Sequence, residues 1–174
     1  MAKTIKVDFG RYSVDDAIKF FQNYKQDQQK KTEQLMTRIA NEISKLALSN
    51  FMACFVDDTV SGGPRSAQVT LSIEKTKDLV LVVANGEDAV FCEFGAGVYY
   101  NGSSGSSPHP KGAELGMTIG SYGKGFGSRK VWGYYDENNS LVLTRGTPAA
   151  MPMYNAMKDV CDQIYSIARE VFAS

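Results

Sequence analysis

A glycine-rich segment between two strand-like stretches is the feature that most constrains this chain of 174 residues. Ten of its 16 glycines lie between Gly95 and about Ser128. A loop of this length inside a small domain is either disordered or functional. Because strand-like sequence lies on both sides of it, we expect residues 97–130 to form a functional, extended arm within the domain.

Two short motifs bound this segment. Residues 92–97 precede it and read CEFGAG, and residues 144–155 follow it and read TRGTPAAMPMYN. Neither motif contains an assembled set of catalytic groups. We therefore expect the segment and its borders to serve in contacts with other molecules.

The totals indicate one soluble domain over residues 1–174. The 19 basic and 19 acidic side chains cancel, which excludes the overall basic field of non-specific DNA-binding proteins. The three cysteines are odd in number and show no C-x-x-C spacing, so we expect reduced, mostly buried thiols and neither a disulfide framework nor a zinc site. The N-terminus has no apolar signal core, and no apolar run is long enough to span a membrane.

The hydrophobic periodicities predict an α+β fold with helices at both ends and strands between them. The N-terminal part is expected to form a strand over 4–9 and then either two helices, over 14–24 and 32–53, or one long bent helix across both. Three strands are expected over 68–74, 79–84 and 89–94. A hairpin over 130–136 and 141–144 and a last helix from near Pro152 are expected to follow. Ser13 is the expected cap of the first helix, and Asn85-Gly86 the expected turn between the second and third strands.

The middle strands are therefore expected to form a small antiparallel meander, joined by the later hairpin. Ser61 to Pro64 is expected to turn before it. The C-terminal helix is expected to pack on this sheet through one apolar side. The residues of that side are Met153, Met157, Val160, Cys161, Ile164, Ala168 and Val171.

No residue set predicts a reaction centre, a cofactor or a metal. Gly123 to Lys130 contains glycine and lysine, but it lacks P-loop spacing and precedes strand sequence, so we interpret it as a basic turn. His109 is the single histidine and lies between two prolines, which predicts an extended, exposed segment and a surface or interface role. Two pairs of adjacent carboxylates have structural explanations. Asp15-Asp16 is expected in the first turn of a helix, where acidic residues are favoured, and Asp57-Asp58 is expected next to a turn.

Aromatic and basic residues alternate from Tyr122 to Tyr135. Such a mixture suits single-stranded nucleic acid, through stacking and phosphate contacts, and it equally suits a protein interface. Zero net charge favours the protein interface, and the nucleic-acid-binding module is kept as the alternative. An enzyme using His109 or Cys92 is a third hypothesis without a convincing reaction.

The two border motifs, the glycine-rich insertion and the Trp132 hairpin resemble the minor tail component family of long-tailed bacteriophages, typified by gene product ten of the Hong Kong 97 phage. The usual family text is EFGTG, a variable loop, and then a Pro-(Phe/Tyr)-Met sequence opening the last helix. Here Ala96 stands where threonine is common, and Met153-Tyr154 replaces the common order. The similarity spans most of the chain, with its specific motifs in residues 92–157.

The resemblance implies a virion structural protein of the neck or upper tail, acting in tail completion or head–tail joining, with no enzymatic activity. It implies a homo-oligomeric ring, usually six-fold, around the DNA channel. Implied partners are head-closure or connector, tail-terminator and tail-tube proteins, with double-stranded DNA passing through without sequence-specific contact. The implied location is the virion, and the host cytoplasm during assembly.

Ring subunits need different surfaces that meet on neighbouring copies. We expect the arm and its borders to supply such contacts. The candidate interface residues are Phe94, Gly95, Gly97, Tyr99, Tyr100, His109, Lys111, Tyr122, Lys124, Phe126, Arg129 and Trp132.

Overall fold

A computed structural model describes residues 11–57, 64–76, 79–96, 109–112, 114–115, 132–135, 138–144 and 146–173. The chain is α+β, with a long N-terminal helix, small two-stranded antiparallel sheets and a C-terminal helix packed against the first. It divides into two compact units, one of residues 1–39 and 164–174 and the other of residues 40–163. The strand expected over residues 4–9 lies outside the described residues.

The N-terminal helix α1 is continuous from Arg11 to Met52. The polar stretch between the two expected helices contains no glycine or proline, and its Lys and Gln residues favour helix. Local bonds support it, since Lys31 and Asp27 form an ion pair at 3.7 Å and the Thr32 hydroxyl donates to the Gln28 carbonyl at 2.8 Å. Of the two expected alternatives, two helices or one long helix across both segments, the single helix is therefore the one that forms.

Because α1 includes Arg11, Ser13 lies within the helix and is not its cap. Asp15 and Asp16 are exposed on α1, but its first turn contains no acidic residue, so their predicted place in a first turn is also wrong. Both errors have one cause: the helix extends further toward the N-terminus than the capping pattern indicated.

Two expected hairpins are present. Strands β3 (Thr70–Lys75) and β4 (Val80–Asn85) pair antiparallel, from Thr70 opposite Asn85 to Lys75 opposite Val80. Strands β5 (Trp132–Tyr135) and β6 (Leu141–Thr144) do the same. The alternating or valine-rich sequence and the short connections had predicted both.

A third pair was not expected. Strand β1 (Phe55–Asp57) pairs antiparallel with β2 (Pro64–Ser66) across the predicted Gly-Gly-Pro turn. Each strand has three residues, which is too short for an alternating pattern to be recognised. Of the turn predicted over Ser61 to Pro64, Pro64 is the first residue of β2, and the rest lies outside the described residues.

The predicted third strand of the meander is instead the helix α2, Asp88–Phe94. Short apolar runs do not distinguish a strand from a buried helical turn, and the surroundings decide between them. The Asp88 carboxylate accepts the Gln68 backbone N–H at 2.8 Å, and the Ala89 N–H bonds to the Gly86 carbonyl at 3.1 Å. Asn85-Gly86 therefore leads from β4 into a helix and is not a hairpin turn.

The core of the second unit lies where the end of α1, β1 and α2 meet. Its buried members are Phe51, Cys54, Val56, Ala89 and Cys92, packed against the partly buried Ala67, Val69, Leu71, Ala84 and Met153. Two of the three cysteines are therefore core residues, and Cys161 is exposed. This cluster positions α2, and with it the first border motif.

The C-terminal helix α3 runs from Pro152 to Ala173, as predicted. It packs against α1, and the expected packing on a sheet is wrong, although Met153 in its first turn reaches the core cluster. In the second unit the Asn50 side-chain amide donates to the Pro152 carbonyl at 3.2 Å, and in the first unit Arg38 and Glu170 form an ion pair.

The buried face of α3 differs in part from the predicted side. Its buried residues are Pro152, Ala156, Val160, Ile167 and Val171. Met157, Cys161 and Ile164, which the periodicity placed on the packed side, are exposed. No described helix is long and apolar enough to cross a membrane.

Candidate functional site

The two border motifs meet in the folded chain. The Ala96 N–H donates to the Thr147 carbonyl at 2.7 Å, and the Thr147 N–H donates back to the Ala96 carbonyl at 3.0 Å. The Cys92 carbonyl accepts the N–H groups of Ala150 and Met151 at 2.9 and 3.2 Å. We call this contact of residues 92–96 with residues 146–155 the motif junction. The chain between residues 96 and 146 therefore begins and ends at the motif junction.

Gly95 is the tightest point of the motif junction. Its φ is +79°, a backbone angle that residues with a side chain rarely adopt. An added Cβ would lie 3.0 Å from the Ala149 nitrogen, 3.1 Å from the Ala149 Cβ and 3.2 Å from the Thr147 oxygen. Both the backbone angle and the close approach therefore require glycine here.

Glu93 joins the motif junction to the start of α3. Its side chain is buried, with the whole residue 8% exposed. Oε2 accepts the Met153 N–H at 2.8 Å, and Oε1 accepts the Tyr154 N–H at 2.9 Å. These N–H groups belong to the first helical turn and have no partner within α3, so Glu93 caps α3 from a distant part of the sequence.

His109 adds a third segment to the same carboxylate. Its Nε2 lies 3.1 Å from Glu93 Oε1, and its Nδ1 accepts the Lys111 backbone N–H at 3.0 Å. Because Nδ1 accepts a hydrogen bond, the proton of the neutral ring is assigned to Nε2. This N–H donates a hydrogen bond to Glu93 Oε1. The buried carboxylate therefore accepts hydrogen bonds from α3 and from the glycine-rich segment together.

Two aromatic rings enclose the imidazole. The ring centroids of Phe94 and His109 are 4.5 Å apart at an angle of 55°, and those of His109 and Tyr154 are 5.2 Å apart at 72°. His109 is only 7% exposed, so its predicted place on the surface is wrong. Residues 109–112 form a turn and not the extended segment that the prolines predicted. Pro110 and Lys111 are exposed on it, and the Gly112 N–H bonds back to the His109 carbonyl at 2.8 Å.

The partners of His109 limit its chemistry. Both ring nitrogens are engaged within the chain. Action as a general base toward Cys92 or an added substrate would first require one of these bonds to break. Among the described residues no group of three or more His, Cys, Asp and Glu side chains is arranged to hold a metal ion. The arrangement is suited to fixing chain segments in place.

Two buried thiols lie beneath the motif junction. The Cys54 thiol donates to the Asn50 carbonyl at 3.2 Å. A hydrogen bond from the Cys92 thiol lowers the pKa of Cys54 below its ordinary value, against the opposing effects of burial and of the Glu93 charge. Cys54 and Cys92 belong to the same buried core cluster.

The structure brings few of the predicted interface residues into one place. Phe94, Gly95 and His109 lie together at the motif junction, and Lys111 is exposed beside it. The backbone of Trp132 lies in β5. Seven candidates lie outside the described residues, as does the basic turn before β5: Gly97, Tyr99, Tyr100, Tyr122, Lys124, Phe126 and Arg129.

Sequence reasoning missed the role of Glu93 and of Tyr154. A signal was present, because Glu93 is a charged residue inside an otherwise apolar run, and a buried charge needs partners. Its partners are backbone groups about sixty positions away, and sequence spacing does not reveal such contacts.

Comparison of the chain with protein-family models, with curated proteins and with solved structures found no match in any of the three.

Proposed function

We propose that this protein is a structural component of a tailed bacteriophage or phage-derived particle, a ring subunit of the neck or upper tail that acts in head–tail joining. The proposal combines the resemblance of the border motifs with a surface suited to assembly. The ring, six-fold by the resemblance, would surround the DNA channel and contact neighbouring connector, terminator or tube proteins.

The observation that carries this proposal is an apolar stripe on the first part of α1. Val14, Ile18, Phe21 and Tyr24 are each more than two-fifths exposed. Their spacing places them on one side of the helix. Phe20 extends this surface, with its ring stacked on Tyr24 at a centroid distance of 6.5 Å. Contiguous exposed apolar surface of this kind marks an interaction site.

The hairpin β5–β6 presents a second apolar surface. Tyr135, Leu141 and Leu143 are exposed, and Tyr135 and Leu141 lie directly opposite each other. A ring subunit needs two different surfaces, because each copy contacts its two neighbours in different ways. The α1 stripe and the hairpin meet that requirement.

The motif junction suits the same function. It holds the start of the glycine-rich segment and also His109 within it, and the chain after the β5–β6 hairpin returns to it at Thr147. Fixing these points lowers the number of conformations that the segment loses when it contacts a neighbouring subunit. The segment can then vary in sequence while its attachment stays the same.

Deletion of the gene from the phage or prophage that encodes it tests the proposal. We expect lysates with heads and tails that are not joined, seen by electron microscopy, and a loss of infectious particles. Complementation with Phe21→Glu should fail, and complementation with Asn23→Glu, an exposed polar position on the same helix, should succeed. Normal particles from the deletion strain would reject the function.

The nucleic-acid alternative makes a different prediction. A module that uses residues 122–135 should bind single-stranded DNA with an affinity that falls steeply as salt rises. The proposed ring subunit should show no such binding at physiological salt.

Native mass spectrometry of the wild type and of Phe21→Glu, with circular dichroism as the control for folding, would measure self-association directly.

A further inference from the structure

The α1 stripe lies on a part of α1 that α3 does not reach. In the first unit, Arg38 of α1 forms an ion pair with Glu170 of α3. Tyr24, the nearest member of the stripe, precedes Arg38 by fourteen positions, which is about 20 Å of helix. The helix α3 ends at Ala173, three positions beyond Glu170. The side chains of the stripe are therefore 40–57% exposed in the single chain.

One face of the β5–β6 hairpin is also exposed and apolar. Tyr135 lies opposite Leu141, and Leu143 shares their face because alternate residues of a strand lie on the same side. The three side chains are 68%, 57% and 45% exposed, in that order. Gly133 lies opposite Leu143 and has no side chain, which leaves room there for a side chain from a partner. A two-stranded hairpin is marginally stable alone and needs a further strand or a helix on its apolar face.

We propose that the α1 stripe of one copy packs on the apolar face of the β5–β6 hairpin in the next copy. The pairing rests on the proposed ring function and names the contact that joins its subunits. Each surface supplies what the other requires, because the sheet face needs a helix and the helix needs an apolar surface. A contact between two different surfaces is heterologous, so it repeats from copy to copy and gives a closed ring when the rotation closes.

The two surfaces match in length and in polarity. From Val14 to Tyr24 the stripe extends about 15 Å along α1. The four-residue strands β5 and β6 each extend about 13 Å. None of the exposed apolar side chains on either surface carries a charge, so their contact leaves no charge buried without a partner.

The apolar area is sufficient for a specific interface. A half-exposed aromatic side chain such as Phe21 offers about 100 Å² to a partner. On this scale the α1 stripe offers about 450 Å² and the hairpin face about 350 Å². Apolar atoms supply about three-fifths of a typical interface, so the whole contact would bury about 1,300 Å². This area lies within the range of specific, stable protein–protein interfaces.

The charges beside the α1 stripe favour a protein as its partner. Asp15 and Asp16 are exposed there together with Lys19 and Lys25. A helix that binds a membrane surface has a polar face rich in lysine and arginine, and a nucleic-acid-binding surface is likewise basic. An apolar centre with a polar rim of both signs is instead typical of a protein interface.

Mixing two variants of the full-length protein tests the pairing, because each variant damages one of the two surfaces. Phe21→Glu places a charge in the α1 stripe and leaves the hairpin intact, and Leu143→Glu does the reverse. Native mass spectrometry should show each variant alone as a monomer at a concentration at which the wild type associates. In the mixture, the intact stripe of Leu143→Glu should bind the intact hairpin of Phe21→Glu. We expect one-to-one heterodimers and nothing larger.

Leu81→Glu is the matched control. Leu81 is 43% exposed in β4, so the same substitution is made at a leucine of similar exposure on another hairpin. This variant should associate as the wild type does. Circular dichroism of all three variants checks that they are folded.

A cross-linking measurement avoids the glutamate variants altogether. With the photoreactive amino acid p-benzoylphenylalanine in place of Tyr24, irradiation should give covalent dimers. Peptide mapping after trypsin digestion should locate the link in residues 131–145, a single tryptic peptide that contains β5 and β6. A link to any other peptide of the second copy would overturn the pairing.

Three outcomes of the mixing experiment would also overturn it. The first is a wild type that stays monomeric. The second is self-association of Leu143→Glu alone, which would mean that the stripe pairs with itself or with another surface. The third is a mixture of folded variants without heterodimers. Normal particles from the gene-deletion strain would reject the phage function and leave the mixing result unchanged, so the two proposals fail separately.

Discussion

Glu93 Oε1 and His109 Nε2 lie 3.1 Å apart in the interior of the second unit. The same carboxylate accepts the N–H groups of Met153 and Tyr154. One side chain therefore holds together α2, the first turn of α3 and a residue of the glycine-rich segment. The carboxylate is central to the predictions on the motif junction.

Glu93→Gln should destabilise the protein by about 2–3 kcal/mol, because an amide has one acceptor oxygen where the carboxylate has two, and buried donors lose their partner. Chemical denaturation followed by circular dichroism measures the change. Glu87→Gln, at an exposed position just before α2, is the matched control and should change stability by less than about 0.5 kcal/mol. Equal effects of both substitutions would contradict the assigned role.

His109→Ala should open the turn at residues 109–112. The substitution removes the bond to Glu93, the acceptor of the Lys111 N–H and the ring between Phe94 and Tyr154. We expect trypsin to cleave after Lys111 about tenfold faster, which is the factor for losing a hydrogen bond to a charged group. Leu115→Ala, at an exposed side chain nearby, should leave the rate unchanged, and an unchanged rate in His109→Ala would reject the anchor.

Gly95→Ala should destabilise the protein by about 2–4 kcal/mol, from the positive φ and the contacts with Ala149 and Thr147. Adding Ala149→Gly removes the contact between the two methyl groups but keeps the backbone angle, so the double variant should recover only part of the loss. Full recovery would show that side-chain contact alone requires glycine. Thermal unfolding of both variants separates the two contributions.

The contact of α1 with the end of α3 should depend on packing more than on its ion pair. Arg38 and Glu170 are about half exposed, so a double-mutant cycle with alanine should give a coupling below about 1 kcal/mol. Ile167 is 8% exposed, and Ile167→Ala should cost about 2–4 kcal/mol. A larger effect from the ion pair than from Ile167 would contradict this ranking.

The lowered pKa of Cys54 predicts that the stability of the reduced protein depends on pH. The pKa of Cys54 is lowered in the folded protein from an ordinary value of 9.0, first by the hydrogen bond from Cys92. Ionisation of Cys54 therefore favours the folded state. Its stabilising contribution should be complete above about pH 9 and be lost as the pH falls through the lowered pKa.

The stability difference between wild type and Cys54→Ser should accordingly grow in favour of wild type as the pH rises from 7 toward 9.5. Cys161→Ser, at the exposed cysteine, is the control and should show no such trend. A difference that shrinks with rising pH would mean that burial controls this thiol instead of the hydrogen bond. Urea denaturation at a series of pH values provides the measurement.

Local pattern was enough to predict the elements whose signal repeats along the chain. The α+β class, the pairing of β3 with β4 and of β5 with β6, and the start of α3 near Pro152 all follow from alternation, turn residues and a proline at a helix start. The glycine-rich segment and its two border motifs were also visible in the sequence, because composition alone marks them.

For short or polar segments, contacts in the tertiary structure determined the secondary structure and the burial. Residues 88–94 form a helix, since Asp88 bonds to Gln68 and Gly86 turns the chain. His109 is buried because a carboxylate and two rings from other segments surround it. These outcomes depend on partners many positions away, and a sequence pattern describes only neighbours along the chain, so the meeting of the two motifs through Glu93 became visible only in the folded protein.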